Sequence, residues 1–136
     1  MAYLLDTSAL LAHFRRETGA DQVQAIFDRE DEDILLASVS LPEFARRLRD
    51  LGSTPQEARS VVGQHVQSVT TVVPMDAEVA TASFDLICQL PERLPLMDAL
   101  IAAAARSRQA SLVHRDTHMR SIPAALLTPL DLDEPP

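Results

Sequence analysis

Residues 3–17 read YLLDTSALLAHFRRE, and two periods meet inside them. Tyr3-Leu4-Leu5 is a short apolar run, of the length and type that suit a strand. From Ser8 onward, Leu10 and Phe14 stand four apart, the spacing of one helix face. A strand therefore runs into a helix, with a carboxylate, Asp6, at the junction. Asp6 has two readings there. It caps the helix, as Asp, Thr and Ser all do, or it stands at a strand end for chemistry.

The alternation continues along the chain. DILLAS (33–38), VTTVVP (69–74), ASLVHRD (110–116) and ALLTPL (125–130) read as four more strands, the last one short and weak. Helical periods lie between them. Val23, Ile26 and Phe27 share a face, as do Leu41, Phe44, Ala45 and Leu48. Thr54-Pro55-Gln56-Glu57 is a capping box with Pro at the first helical position. Val79, Ser83, Leu86, Ile87 and Leu90 make a further stripe, and Cys88 beside it reads as core. LMDALIAAAAR (96–106) is so rich in Leu, Ile and Ala that it reads as a buried helix. Strands alternating with helices imply an α/β domain with crossover connections and a parallel sheet covered on both faces. The pattern makes one domain of residues 1–130, followed by a frayed acidic, Pro-rich tail, DLDEPP (131–136).

Composition narrows the function. The 136 residues are long enough for a real core, and 46% are hydrophobic. No apolar run approaches the roughly 20 residues that cross a bilayer. The start, MAYLLDTS, lacks the basic region of a signal peptide and reads as a strand. A single cysteine rules out an intrachain disulfide and fits a reducing cytoplasm. The formal charge is −8, all twelve basic residues are Arg, and Lys and Trp are absent. Such a chain does not coat nucleic acid by counterion release or base stacking. Of the three glycines, none forms a dinucleotide or P-loop pattern after a strand.

In an open parallel sheet, ligands bind beyond the carboxyl ends of the strands. Asp6 ends the first strand and Asp116 follows the fourth. Helices leave a parallel sheet from that same edge, so Glu43, opening the helix after strand two, belongs there too. So does Asp98, provided its helix runs antiparallel to the strand it feeds. Four carboxylates at one rim raise each other's pKa or require a cation. An all-oxygen set suits Mg²⁺ or Mn²⁺, and such ions serve phosphodiester hydrolysis. Each acid also has a plainer reading. Ser40-Leu41-Pro42-Glu43 matches a second capping box, Glu43 and Arg47 could pair at i,i+4, Asp98 could offset a helix dipole, and Asp116 could be an ordinary loop acid. Ser8 is placed to hydrogen-bond a metal ligand or a bound water near Asp6. His114 and His118 flank Asp116, but without a thiol or Glu-bearing helix they do not read as a zinc site. His13 and His65 are isolated in sequence and receive no role.

Taken together, LLDTSALLA, SVSLPEFARRL, LPLMDALIAAAA and LVHRDTHM resemble a PIN-domain ribonuclease of the VapC toxin type, over Tyr3 to about Leu130. The resemblance implies a PIN-like three-layer α/β/α sandwich with a five-stranded parallel sheet in order 3-2-1-4-5. It implies a metal-dependent endoribonuclease whose catalytic and metal-binding acids match Asp6, Glu43, Asp98 and Asp116, with Ser8 as the accompanying hydroxyl. The cofactor would be Mg²⁺ or Mn²⁺, and the cut would leave a 5′-phosphate and a 3′-hydroxyl. It also implies RNA as substrate and a small cognate antitoxin as partner, in a homodimer or a toxin–antitoxin hetero-oligomer. The antitoxin would fill an apolar groove, for which the Leu10/Phe14 and Phe44/Leu48 helices are the candidates. Arg46, Arg47, Arg115 and Arg120 would contact flanking phosphates. A phosphorylation receiver or a haloacid-dehalogenase-like phosphatase would expect a functional Lys, and the latter also Asp-x-Asp where this chain has Asp6-Thr7-Ser8. The rival of another class is a PIN-like interaction module with little catalysis.

Overall fold

Leu4, Leu5, Leu35, Leu36, Leu112 and Val113 are consecutive pairs in three strands, and none is more than 4% exposed. Neighbouring strand residues point to opposite faces, so both faces of the sheet centre must be covered. The computed structural model, which describes residues 1–134, shows how. Strands β1 (Ala2–Leu5), β2 (Asp33–Ala37), β3 (Thr71–Val73), β4 (Ser111–His114) and β5 (Pro129–Asp131) form one sheet in the order β3-β2-β1-β4-β5. Every pairing is parallel. Leu4 lies opposite both Leu35 of β2 and Leu112 of β4.

Helices α1 (Thr7–Arg15), α2 (Ala20–Phe27), α3 (Ser40–Asp50) and α4 (Pro55–Gln67) link β1 to β2 to β3. Helices α5 (Ala77–Gln89) and α6 (Leu96–Ser107) then carry the chain back past β1 to β4, and the short α7 (Thr117–Arg120) precedes β5. The direction of strand addition reverses at β1. Parallel crossovers are right-handed, so the reversal moves the connecting helices to the other face. The core divides accordingly. Tyr3, Leu5, Ile34, Leu36 and Val113 pack with Leu10, Val23, Phe44 and Leu48 of the first four helices. Leu4, Leu35, Ala37, Val73 and Leu112 pack with Leu86 and the Ala-rich α6.

Several local expectations change. The Thr54 capping box forms, with Glu57 N donating to Thr54 Oγ1 at 3.1 Å and Thr54 N donating to Glu57 Oε1 at 2.9 Å. The matching Ser40–Glu43 pattern does not. A capping residue needs an extended backbone, as Thr54 has at φ −69°, ψ 161°. In α3 the cap position falls to Val39, itself helical at φ −67°, ψ −19°, and Ser40 is already inside the helix. Cys88 is exposed rather than core. The buried stripe of α5 is Val79, Ser83 and Leu86, and at about 100° per residue Cys88 lies across the helix from Leu86.

The fifth strand starts later than the apolar run suggests. Leu127 turns into the core, and β5 begins at Pro129 on the sheet edge, where a missing N–H is tolerated. The chain then stays packed beyond residue 130. Asp131 and Leu132 are buried, and Leu132 N donates to His114 O at 2.8 Å. The remainder of the expected frayed tail, residues 135–136, lies outside the described residues. Among the described residues no helix is long and apolar enough to cross a membrane.

Leu132 is seated against the α1–α2 turn at Gly19. Gly19 has φ +92°, and a Cβ there would fall 2.6 Å from Leu132 Cβ. Backbone conformation and space both demand glycine. Gly19→Ala should destabilise the protein by about 2 kcal/mol, the middle of the range for overpacked sites. Urea unfolding checks this as a lower midpoint at unchanged slope.

Candidate metal centre

The carboxyl edge at β1 and β4 is where the chain collects its acids. Asp6 follows the last residue of β1 and extends the ladder, its N–H donating to Val113 O at 2.9 Å. It caps α1 as well, since Oδ2 accepts from Ser8 N at 3.3 Å and from Ser8 Oγ at 2.5 Å. Capping and site membership are thus not alternatives for this residue. Ser8 also accepts, at Oγ, the N–H of Arg115 at 2.9 Å. That bond ties the β1 end to the loop after β4. Asp116 in this loop caps α7, with Oδ1 accepting from His118 N at 2.9 Å.

Asp98 stands in the first turn of α6, and its side chain is 13% exposed. One ring joins it to Asp116. His118 Nδ1 lies 3.6 Å from Asp98 Oδ2 and 3.4 Å from Asp116 Oδ1. Glu43, in the first turn of α3, is close enough that its charge acts on both Asp6 and Asp98. It forms no recorded pair with Arg47 among the described residues. The fold therefore brings Asp6, Ser8, Asp98 and Asp116 to one rim, with Glu43 near enough for its charge to reach Asp6 and Asp98.

Electrostatics register the crowding. Burial pushes the Asp6 carboxyl up to about 6 against the pull of its Ser8 hydrogen bonds, with Asp116 and Glu43 adding to the rise. Asp98 is raised to about 7, first by burial and then by the charges of Asp116, Asp6 and Glu43. Asp6 Oδ1 is buried and has no hydrogen-bond partner. An orphaned carboxylate oxygen among three further acids is the arrangement a divalent cation satisfies, and the donor set fits a hard metal such as Mg²⁺ or Mn²⁺.

Other candidates resolve differently. His118, which sequence alone does not place in a zinc site, turns its ring to two of the acids. The signal was its spacing, two residues past a helix-capping Asp, which returns the side chain over the cap. His114 points inward at 1% exposure, and its Nδ1 accepts the Asp116 N–H at 3.2 Å. His13 and His65, isolated in sequence, are joined across α1 and α4 at 2.9 Å, and His65 Nδ1 donates to Val61 O at 2.9 Å. They border a separate cleft of about 970 Å³ beside Gln24. Arg115 and Arg120 do not stand free for phosphates. Arg115 pairs with Asp133 at 2.9 Å and Glu17 at 3.8 Å, and Arg120 grips Asp131 with two nitrogens. The expected apolar groove is also mostly filled. Leu10, Phe44 and Leu48 are fully buried core, and only Phe14 is exposed, at 41%.

The raised acids fix the pH dependence of the metal-free protein. In the folded state Asp6 and Asp98 hold protons up to about pH 6 and 7, whereas their ordinary value is 3.8. Between these limits the folded state binds more protons than the unfolded chain, so stability falls as pH rises. The contribution is full below the ordinary value and lost through pH 6–7. In EDTA, the melting temperature of Asp98→Asn minus that of the wild type should therefore increase from pH 4 to pH 7.5. A plain helix-dipole acid would give the opposite trend, with the variant losing ground as the carboxylate ionises.

The comparisons agree with this architecture. The model of the PIN domain family matches residues 3–125. No curated protein matches the chain. Among solved structures, VapBC2 from Rickettsia felis, bound to a promoter DNA fragment, is similar at a TM-score of 0.76 and 18% identity, over 96% of this chain and 98% of that one. VapBC-1 from nontypeable Haemophilus influenzae gives a TM-score of 0.75 at 14% identity, covering 98% and 100%. VapC20 from Mycobacterium tuberculosis, a toxin that cleaves the sarcin–ricin loop, gives 0.69 at 12% identity, covering 88% and 93%. At such identities these structures speak for the fold. The family match spans most of the chain, its sheet order follows the same plan, and its acids stand at the switch point: this chain belongs to the PIN domain family of nucleases.

Proposed function

We propose that the protein is a metal-dependent endoribonuclease that hydrolyses RNA phosphodiester bonds, and that it is the toxin of a cytoplasmic toxin–antitoxin pair. One observation carries the nuclease reading: Asp6, buried at the switch point with Oδ1 unpartnered and Asp98, Asp116 and Glu43 around it. The similar VapBC and VapC structures, one of them described as cleaving the sarcin–ricin loop, support RNA as the substrate and a small antitoxin as the partner. Assembly as a homodimer or toxin–antitoxin hetero-oligomer belongs to the same reading.

Asp6, Asp98 and Asp116 would hold Mg²⁺ or Mn²⁺, with Glu43 contributing directly or through water. When bound, the ion supplies positive charge to the scissile phosphate and acidifies the attacking water. The protein's own residues supply position. Ser8 fixes the Asp6 carboxylate through Oδ2, leaving Oδ1 without a protein partner. The Arg115 N–H to Ser8 bond locks β1 against the β4 loop, so that Asp6 and Asp116 keep their separation. Pre-set ligands of this kind avoid reorganisation at the moment of reaction.

Purified protein freed of inhibitor should cut structured RNA with Mg²⁺ or Mn²⁺ and stop with EDTA. Asp6→Asn and Asp98→Asn should each lower the rate by about 100-fold or more, since even outer-shell partners of a metal cost up to that much. Glu43→Gln should lose activity with little loss of stability, because no cap depends on it. The rival reading, an interaction module, draws on the Arg115 and Arg120 side chains being engaged by acids. Binding of RNA with undiminished integrity in Mn²⁺ would favour it, and full cleavage by Asp6→Asn would remove the proposed site.

A further inference from the structure

His118 is left over by this account. Its ring is 60% exposed, yet it is turned toward the acids rather than outward from them. Nothing in the capping of α7 requires this, because the cap uses the backbone N–H of His118. Among the described residues the ring makes no hydrogen bond. Its distances of 3.6 Å to Asp98 Oδ2 and 3.4 Å to Asp116 Oδ1 exceed the roughly 3.2 Å limit of a good N–H···O bond. The three residues nevertheless offer one ligand atom each, all within 4.8 Å of one another. In an octahedral site with metal–ligand bonds of about 2.1 Å, adjacent ligands stand about 3 Å apart. The His118 nitrogen, at 3.6 and 3.4 Å from the two carboxylate oxygens, already stands within about half an ångström of that spacing. Loop anchoring makes that position reproducible: Asp116 N donates to His114 Nδ1 at 3.2 Å, and His118 N returns to Asp116 Oδ1 at 2.9 Å.

From this geometry we infer that His118 is a nitrogen ligand to the cation held by Asp98 and Asp116, and that it makes the site prefer Mn²⁺ to Mg²⁺. The inference rests on the proposed metal-dependent reading. It is supported independently by the unpartnered, buried Asp6 Oδ1 on the same rim, a donor oxygen that no protein group satisfies and that a cation there would. The selectivity follows from donor chemistry. Mg²⁺ keeps its waters and takes carboxylate oxygen in preference to imidazole, whereas transition ions accept mixed nitrogen and oxygen sets. An all-acid rim would bind the two ions with less discrimination. One imidazole at the edge shifts the balance.

The test uses the full chain with Mn²⁺ or Mg²⁺ alone and needs no RNA. Pulsed electron paramagnetic resonance of the Mn²⁺-loaded protein should show coupling to a nitrogen, and that coupling should change when the histidines carry ¹⁵N. In His118→Asn the coupling should vanish. Calorimetry should then find Mn²⁺ affinity lower by about 10-fold with Mg²⁺ affinity nearly unchanged, as expected when one ligand of borderline softness is lost. The ring is exposed, so its replacement leaves the core packing intact, and the isotope experiment on the wild type does not depend on the variant. Mn²⁺ bound with no nitrogen coupling, and lost in Asp98→Asn, would overturn the role of His118 while leaving the acidic metal site standing. Equal loss of Mn²⁺ and Mg²⁺ affinity in His118→Asn would overturn the selectivity. No binding of either ion would overturn this inference and the metal-dependent reading together.

Discussion

A carboxylate at the end of the central strand is the constraint from which the site follows. β1 has strands on both sides and helices on both faces, so the residue that follows it emerges inside the protein. That residue is Asp6, at 2% exposure. Burying a charged group costs several kcal/mol unless it is compensated. Ser8 compensates one oxygen. The usual further remedy is a Lys or Arg alongside. Lys is absent from the chain, and the guanidinium of Arg115 is directed to Asp133 and Glu17. The other neighbours that act on Asp6 are themselves acids. The acids around Asp6 deepen the deficit of positive charge, and a cation is the group that would remove it.

Asp98 reaches this rim because of the helix behind it. Ala99, Ala102, Ala103, Ala104 and Ala105 are all fully buried along α6. Methyl-sized side chains let the helix lie close to both the sheet and α5. A bulkier residue at those positions would hold α6 away from β1 and β4, and its first turn would retreat from Asp6 and Asp116. The run of alanines is therefore as much a part of the site as the carboxylate it carries. Core packing of this kind transmits small volume changes rather than absorbing them.

How much of this the sequence disclosed depended on whether the signal was local or spatial. Strand–helix alternation, the Thr54 capping box and the strand-end position of Asp6 rest on neighbouring residues, and each is recovered in the structure. The strand order came from family resemblance, since periodicity does not specify which strands are neighbours. The duplicate capping pattern at Ser40 misled because a motif states which atoms could bond and not whether the backbone is extended there. Cys88 misled because α5 buries a narrower stripe than its composition suggests. The histidines were missed for a different reason. His13 and His65 are 52 residues apart and meet only in the fold, where α1 and α4 both pack against α3. Asp131 and Asp133 look like the start of a solvated tail until Arg115 and Arg120 are placed opposite them.

Those last pairings bear on how so acidic a chain would engage RNA under the proposed function. With a formal charge of −8, attraction must be local rather than global. Arg115 and Arg120 are occupied in holding the 131–133 segment against β4 and α7. Arg47, and Arg15 at 3.9 Å from Glu17, line a shallow groove of about 290 Å³ together with Ser8, Leu11 and Leu51. Beyond Ser8, the acids around Asp6 would repel a phosphate so long as the rim lacks a cation. A bound divalent ion is the largest local charge in such a site and reverses its sign for an incoming anion. Metal and RNA would then bind with positive coupling, and by linkage each would strengthen the other to the same degree. Under the proposed function the acidity of the chain would act as a control: the carboxylates that would hold the ion would also keep the site closed to phosphate until the ion is present.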